Sequence, residues 1–230
     1  MQQIVVARRF NGPPESGNGG YVCGLTALAT RVPDAEVTLR RPPPLDVPLR
    51  VEDGEVYDGE HLVAAATTAG VPDVTPPPFP GYDAARAAER HYAGLRDHPF
   101  PTCYVCGPAR DDGLGLAPGP LDEQTVATTW TPPPDLADPT LGGVQPQYVW
   151  AALDCPGAWA LMQGTDAPVV LGRLAVRIHG AVRAGRPHVV VGWQERPQEG
   201  RKHYAGTALY DTNGDVLATG RATWVALQPG

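Results

Sequence analysis

One acidic residue stands alone in a long apolar segment of this chain. Asp154 is the only charged residue in the segment YVWAALDCPGAWALM, which runs from Tyr148 to Met162. A carboxylate in such surroundings is costly unless it is paired, protonated or in contact with water. It could act as a general base or as a nucleophile. The alternative is a structural aspartate that holds loop backbone through hydrogen bonds.

A pair of glycines opens the other long apolar segment, GGYVCGLTALAT, which contains no charge. Gly19 and Gly20 follow Asn18, so they would lie at the N-terminus of a buried helix. The free N–H groups and the positive dipole end of such a terminus can stabilise an oxygen that becomes anionic during a reaction. Glycine would let a ligand approach these groups closely. A tight turn into the helix would also explain the pair, and both interpretations stay open.

The cysteines are a candidate metal site, but the sequence favours a structural role. Cys103 and Cys106 form a C-x-x-C pair, with His98 as the only nearby further ligand. A closed zinc site needs four ligands. We therefore expect no metal, and we interpret the pair as part of a structural loop. Cys23 and Cys155 fall in apolar helical segments and are predicted core residues.

Basic side chains could bind the phosphates of a ligand. Arg201 and Lys202 stand at the start of a predicted hairpin, and we take them as candidate phosphate contacts. The chain as a whole has 230 residues and a formal charge of −7, which argues against nucleic acid or an anionic membrane surface as a partner. No apolar run reaches the roughly 18 residues of a spanning helix.

The elements that would position these residues occur in the same order twice. In each half a strand leads through a Gly/Pro-rich loop to a long buried helix, and an antiparallel meander follows. The predicted first half has strands 4–10, 36–41, 45–52 and 61–68 around a helix at 20–30. The predicted second half has strands 124–131, 169–178, 188–194, 203–210 and 216–227 around a helix at 147–162, with a kink expected at Pro156. The run DTNGD at 211–215 predicts a hairpin turn.

A proline-rich break, PPPFPGYD, separates the two halves, and an alanine- and charge-rich segment follows it. We interpret residues 83–96 as a solvated connecting helix. The predicted organisation is therefore an N-terminal unit at 1–80, a connecting helix or linker at 81–98, and a C-terminal unit at 99–230.

The second unit opens with CYVCGP at 103–108, followed by DGLGL at 112–116. This segment resembles the opening of many hotdog-fold proteins of the thioesterase superfamily, which often begin with an aromatic-containing C-x-x-C-G, a loop and G-L before the first strand. Together with the repeated element order, the chain resembles a double-hotdog protein. The implied fold class is α+β, with two curved antiparallel sheets, each wrapped around a long central helix, forming one continuous sheet.

The resemblance also implies a site divided between the halves. In the phenylacetate-type thioesterases of this superfamily, the helix opens with His-Gly-Gly, and a carboxylate follows seven residues after the second glycine. Here Asn18, Gly19 and Gly20 match that opening with asparagine for histidine, but Ala27 stands at the carboxylate position. Asp154 matches the carboxylate of the second half, where Gln-Pro-Gln at 145–147 stands in place of His-Gly-Gly. The implied catalytic set is Asp154 with Gly19, Gly20 and Asn18.

The function that this resemblance implies is hydrolysis of an acyl thioester, with acyl-CoA or an acyl-carrier thioester as partner and with coenzyme A present only as part of the substrate. No other cofactor is expected. A non-catalytic protein that binds acyl or other apolar ligands is the alternative, because each half lacks part of the motif. A hotdog dehydratase or hydratase is a further alternative, which the absence of histidine from both central helices disfavours. We expect a cytoplasmic bacterial protein, with a homodimer left open.

Overall fold

The structure is a computed structural model that describes residues 2–69, 74–140, 142–163 and 167–227. In chain order the helices are α1 (Gly19–Thr30), α2 (Tyr82–Ala88), α3 (Pro146–Ala152) and α4 (Cys155–Leu161). The strands are β1 (Gln2–Val5), β2 (Ala35–Leu39), β3 (Pro48–Glu52), β4 (Glu55–Asp58), β5 (His61–Thr68), β6 (Gly119–Pro120), β7 (Thr125–Trp130), β8 (Ala137–Asp138), β9 (Gly143–Val144), β10 (Val169–Ile178), β11 (His188–Glu199), β12 (Lys202–Tyr210) and β13 (Val216–Ala226).

Eleven of these strands form one antiparallel sheet, in the order β1-β3-β4-β5-β2-β10-β13-β12-β11-β7-β6. The five strands of the first half lie side by side, and the strands of the second half continue the same sheet. The junction is the pairing of β2 with β10, where Glu36 lies opposite Ala175. The prediction of one continuous antiparallel sheet is confirmed.

The strand predictions differ from the structure mainly in the first half. Strand β4 was not predicted, although the Asp-Gly pair before it is a hairpin signal. Asp53 and Gly54 both have positive φ, at 47° and 85°, as a two-residue turn between β3 and β4 requires. The predicted strand at 4–10 is also wrong in its second part, because β1 ends at Val5 and Arg8–Phe10 forms a 3₁₀ turn.

Helix α1 follows the prediction closely and is buried along most of its length. It packs on β2, β5 and β10 of the sheet and on α3 of the other half. Its apolar face on the remaining side is partly open, since Leu28 is 46% exposed. The all-round apolar composition is therefore explained by contacts on two sides, with the sheet and with another helix.

The second long helix is divided in two. A single helix at 147–162 was predicted with a kink at Pro156, but α3 ends at Ala152 and α4 begins at Cys155. Pro156 has no N–H to bond the carbonyl of residue 152, so the helical ladder stops there. The next carbonyl, that of Leu153, accepts a hydrogen bond of 2.9 Å from the Thr207 hydroxyl on β12, while the Gly157 N–H donates to the Asp154 carbonyl. The break places Asp154 between the two helices.

The connecting segment differs from its prediction in length and burial. Helix α2 ends at Ala88, and two 3₁₀ turns, Glu89–His91 and Ala93–Leu95, follow it. It is not fully solvated, because Ala85 and Ala88 are buried. Ala85 packs with side chains of β7, β11 and β12 on the opposite side of the sheet from α4. Among the described residues, no helix is long and apolar enough to span a membrane.

Candidate active site

Asp154 meets the N-terminus of α1 in the middle of the protein. Its Oδ2 accepts a hydrogen bond of 2.9 Å from the Gly20 N–H and another of 2.8 Å from the Asn18 side-chain amide. Asp154 is 2% exposed and Asn18 is also buried. The structure thus brings together the four residues that the sequence grouped: Asp154 from the second half, and Asn18, Gly19 and Gly20 from the first.

Asn18 has two structural tasks at this junction. It is the N-cap of α1, and its Oδ1 accepts a hydrogen bond of 2.9 Å from the Tyr21 N–H. The same side chain therefore fixes its amide nitrogen, which donates to Asp154 Oδ2. A histidine at this position could not supply both an amide oxygen and an amide nitrogen. Asparagine thus ties the helix cap to the carboxylate.

Two polar groups at this junction have no hydrogen-bond partner among the described residues. Asp154 Oδ1 is buried and has no hydrogen-bond partner among the described residues. The N–H of Gly19, the first residue of α1, also donates to none of the described residues, whereas those of Gly20 and Tyr21 are bonded. A buried carboxylate oxygen without a partner is rare in native proteins, whereas the first N–H groups of a helix have no partner within the helix. Both groups are therefore available to a ligand or to water.

Burial dominates the electrostatics of Asp154. It raises the pKa of the carboxyl group to about 7, against the opposing effect of the hydrogen bonds from the Gly20 N–H and the Asn18 amide. The neighbouring Cys103 adds to the increase. A carboxyl group with this pKa can exchange a proton near neutral pH.

The glycines at the start of α1 are required by close packing. A Cβ on Gly20 would lie 2.5 Å from Asp154 Cβ and 2.7 Å from the Trp150 carbonyl oxygen. One turn later, a Cβ on Gly24 would lie 2.7 Å from Gln147 Cα. Helices α1 and α3 therefore approach each other through their backbones at both glycines. Gly20 therefore serves both close packing and a polar contact. The close approach of α1 to α3, which leaves no room for a Cβ, also brings the Gly20 N–H to Asp154.

A cavity of about 580 Å³ opens beside these groups. Gly19, Asn18 and Asp154 line it, together with mainly apolar side chains from both halves, including Leu39, Phe100, Ala158, Trp159, Met162, Val169, Leu171, Trp224 and Leu227. Its composition, apolar with a few convergent polar groups, is typical of a site for a small organic ligand.

The basic residues at this cavity are not those that the sequence suggested. Arg40 and Arg41, on the loop after β2, line it and are exposed. Within the described ranges neither arginine forms an ion pair. Arg201 and Lys202 lie at the β11–β12 turn, outside the cavity lining, where Arg201 Nε donates to the Ala226 carbonyl at 3.2 Å. The two adjacent arginines before PPP were the signal that could have pointed to the cavity mouth.

The structure also shows a contact of Cys155 that was not predicted. Cys155 is buried, as expected of a core residue, but it lies against the C-x-x-C loop, with its Sγ 3.7 Å from Cys103 Sγ. All three thiols line the cavity beside Asp154. The 52-residue separation of Cys103 and Cys155 gave no sequence signal of this contact.

Comparisons with known proteins rest on structure alone. No family model and no curated protein matches the sequence. A tesB protein of Mycobacterium avium subs paratuberculosis is similar to this chain over 94% of this chain and 90% of its own, with a TM-score of 0.62 and 14% identity.

Two shorter proteins match about half of the chain. The PaaI protein of the E. coli phenylacetic acid degradation operon is 13% identical over 50% of this chain and 81% of its own, with a TM-score of 0.46. The thioesterase superfamily member 2 of Mus musculus is 18% identical over 49% of this chain and 82% of its own, with a TM-score of 0.43.

The large antiparallel sheet and the likeness to the tesB protein define the fold class. The chain has a hotdog fold, as the sequence resemblance to hotdog-fold proteins of the thioesterase superfamily predicted. At identities this low, the likeness shows the fold alone. The chemistry has to be inferred from the residues of the site.

Proposed function

We propose that this protein is an acyl thioester hydrolase with a double-hotdog fold and that its substrate is an acyl-CoA. The observation that carries the proposal is the buried Asp154 carboxylate, in a residue that lines an apolar cavity. Its Oδ2 is bonded to the start of α1, and its Oδ1 has no partner among the described residues. We further propose that the two hotdog units are residues 1–80 and 99–230, connected by 81–98.

In the proposed reaction, Asp154 Oδ1 accepts a proton from a water molecule in the cavity. The resulting hydroxide adds to the thioester carbonyl carbon, and the carbonyl oxygen becomes an oxyanion. The Gly19 N–H at the positive end of α1 donates to that oxygen. Collapse of the intermediate breaks the carbon–sulfur bond. The proton held by Asp154 passes to the leaving thiolate, which yields the free thiol and the carboxylic acid.

Asn18 acts as a positioning residue in this scheme. Its amide nitrogen holds Asp154 Oδ2, which leaves Oδ1 as the carboxylate oxygen without a partner among the described residues. Its Oδ1 holds the first turn of α1, which carries the Gly19 donor. One side chain therefore fixes both partners of the proposed reaction relative to each other.

A non-catalytic acyl-binding protein is the second candidate, and one observation favours it. The Gly20 N–H is bonded to Asp154 and the Tyr21 N–H to Asn18, so within the described part of the chain only the Gly19 N–H of these three is left for a carbonyl oxygen. A binder could use the same cavity with the carboxylate as a purely structural contact. Both candidate proteins would bind the ligand, but only the hydrolase would turn it over.

Hydrolysis of a panel of acyl-CoAs with short, long and aromatic acyl groups tests the proposed function. Release of free coenzyme A, followed with a thiol reagent, should exceed the uncatalysed rate for at least one member of the panel. Calorimetric titration of the same panel gives affinities. Binding in the micromolar range without turnover for any member would favour the non-catalytic binder over the hydrolase.

Arg40 and Arg41 provide a prediction about the carrier. If they bind the phosphates of coenzyme A, the double variant Arg40→Ala/Arg41→Ala should raise KM for the acyl-CoA substrate roughly tenfold or more, because hydrogen bonds to charged groups contribute about 1.5–3 kcal/mol. The KM for the matching N-acetylcysteamine thioester, which lacks phosphates, should stay unchanged.

The matched control is Arg201→Ala/Lys202→Ala, which removes the same number of positive charges outside the cavity lining. A larger rise in KM for this control than for the Arg40/Arg41 variant would place the phosphates at the β11–β12 turn, as the sequence suggested.

A further inference from the structure

Three of the four cysteines converge on one point next to the cavity. The Sγ atoms of Cys103, Cys106 and Cys155 all lie within 4.8 Å of one another, and all three residues are buried. They come from two parts of the chain, the C-x-x-C loop and the first residue of α4. The fourth cysteine, Cys23, lies apart on α1, with its Sγ 3.9 Å from the Val37 carbonyl oxygen.

One sulfur–sulfur distance in the cluster matches that of a tetrahedral metal site. A zinc–sulfur distance of about 2.3 Å and tetrahedral angles place two thiolates about 3.8 Å apart. Cys103 Sγ and Cys155 Sγ are 3.7 Å apart. In a hydrophobic core cysteine serves as a small apolar residue, and thiols that only fill the core need not have this spacing.

A side-chain hydrogen-bond donor lies against the cluster. The Asn18 amide nitrogen lies 3.9 Å from Cys103 Sγ and 4.0 Å from Cys155 Sγ. Thiolates bound to a metal carry negative charge, and donors of this kind offset it. A cluster of neutral thiols has no such need.

His98 completes the surroundings as a donor. Its Nδ1 accepts a hydrogen bond of 2.9 Å from the Phe100 N–H, so the neutral imidazole carries its proton on Nε2. That Nε2 lies 3.4 Å from Cys106 Sγ. In this tautomer His98 donates to a thiolate and does not ligate a metal. The fourth metal position is thereby left to the cavity, which all three thiols line.

We propose that Cys103, Cys106 and Cys155 bind one Zn²⁺ ion, with His98 donating to the Cys106 thiolate and the fourth position of the ion open to the cavity. The site lies beside Asp154, since the Asn18 amide contacts both. It replaces the sequence-based interpretation of the C-x-x-C pair as a metal-free loop. The proposal does not depend on the hydrolase function.

Metal content and coordination of the full chain test the site. Protein purified under reducing conditions without a metal-affinity step should contain about one zinc per chain by elemental analysis. X-ray absorption at the zinc edge should count three sulfur neighbours at about 2.3 Å. Replacement by Co²⁺ should give thiolate charge-transfer bands together with the intense visible bands of a tetrahedral ion.

Single cysteine-to-serine variants at 103, 106 and 155 should each lower zinc content and weaken the Co²⁺ bands, and Cys23→Ser is the matched control that should retain both. His98→Gln should weaken zinc affinity about 10- to 100-fold while keeping the three-sulfur count. Because a serine substitution in the core can prevent folding, the sulfur count on the unmodified protein is the decisive measurement.

Three results would overturn the proposal. One is zinc content far below one per chain after incubation with ZnCl₂ and dialysis. Another is fewer than four titratable thiols in denatured, unreduced protein, which would indicate a disulfide in place of a metal site. The last is a zinc site that all three serine variants retain. The open fourth position would be overturned by two results together: His98→Gln binds no zinc, and the absorption spectrum of the unmodified protein shows a nitrogen neighbour. His98 would then be a metal ligand.

Discussion

Replacement of Asp154 by asparagine is expected to lower turnover by about 10²–10⁴-fold, the range that a positioned acid–base group contributes. The amide oxygen of asparagine can accept the hydrogen bonds that Gly20 and Asn18 now give to Oδ2, so the contacts with α1 are retained. The amide nitrogen then occupies the position of the unpartnered Oδ1 and accepts no proton. Steady-state kinetics with the best acyl-CoA of the panel measure the effect.

Stability and ligand affinity separate this role from a structural one. The melting temperature of Asp154→Asn should stay the same or rise, because an ionised carboxylate in a buried position opposes folding. Affinity for a non-hydrolysable substrate analogue should change little. Asp111→Asn, at an exposed position, controls for the change of charge. A variant with a lowered melting temperature and normal turnover per folded molecule would identify Asp154 as a structural contact only.

Alanine at Gly20 or Gly24 should destabilise the protein by about 1–3 kcal/mol, the cost of overpacking a close contact. Helix propensity alone predicts the opposite sign, since alanine is favoured over glycine in a helix by up to about 1 kcal/mol. The contact is between backbones: Cβ atoms would meet the Trp150 carbonyl and Gln147 Cα, neither of which can turn aside as a flexible side chain can. Helix α1 must therefore move away from α3.

The two variants should differ in activity. Gly20→Ala displaces the N–H that holds Asp154, and a misplacement of about 1 Å at a reacting group costs on the order of 10²-fold in rate. Gly24→Ala acts one turn away and should lose stability with a smaller loss of turnover. Chemical denaturation and kinetics on both measure this, with Gly180→Ala as the control, where a Cβ meets only Leu217 at 3.4 Å. Unchanged stability in both variants would contradict the close helix contact.

Local features of the sequence predicted most of the elements. Strands β5 and β10 have the predicted bounds, and α1 begins one residue before its predicted start. Apolar periodicity and turn residues determine these elements, and both can be read from a few neighbouring residues. Strand β4 was missed because it is only four residues long, and the Asp-Gly pair before it was not used as a turn signal.

The site was predictable to the extent that it depends on a motif. Asp154 stood out because it is a lone charge in an apolar segment, and the glycines because they open another such segment. That the Asp154 carboxylate accepts from the Gly20 N–H was not deducible, because it depends on the distance between two helices of different halves. The cluster of Cys155 with the C-x-x-C pair was missed for the same reason. Contacts over 52 residues or more leave no local pattern.

The division of the site between two segments of one chain has an evolutionary consequence. In a pair of identical protomers, two-fold symmetry would repeat every substitution, so a change that suits one site is imposed on the other. Here Asn18 and Asp154 each occur once, and in the proposed double-hotdog arrangement their equivalents in the other half are Gln145 and Ala27. Each position can therefore mutate independently. In the proposed double-hotdog arrangement, a single chain can keep one specialised site while the equivalent positions of the other half diverge.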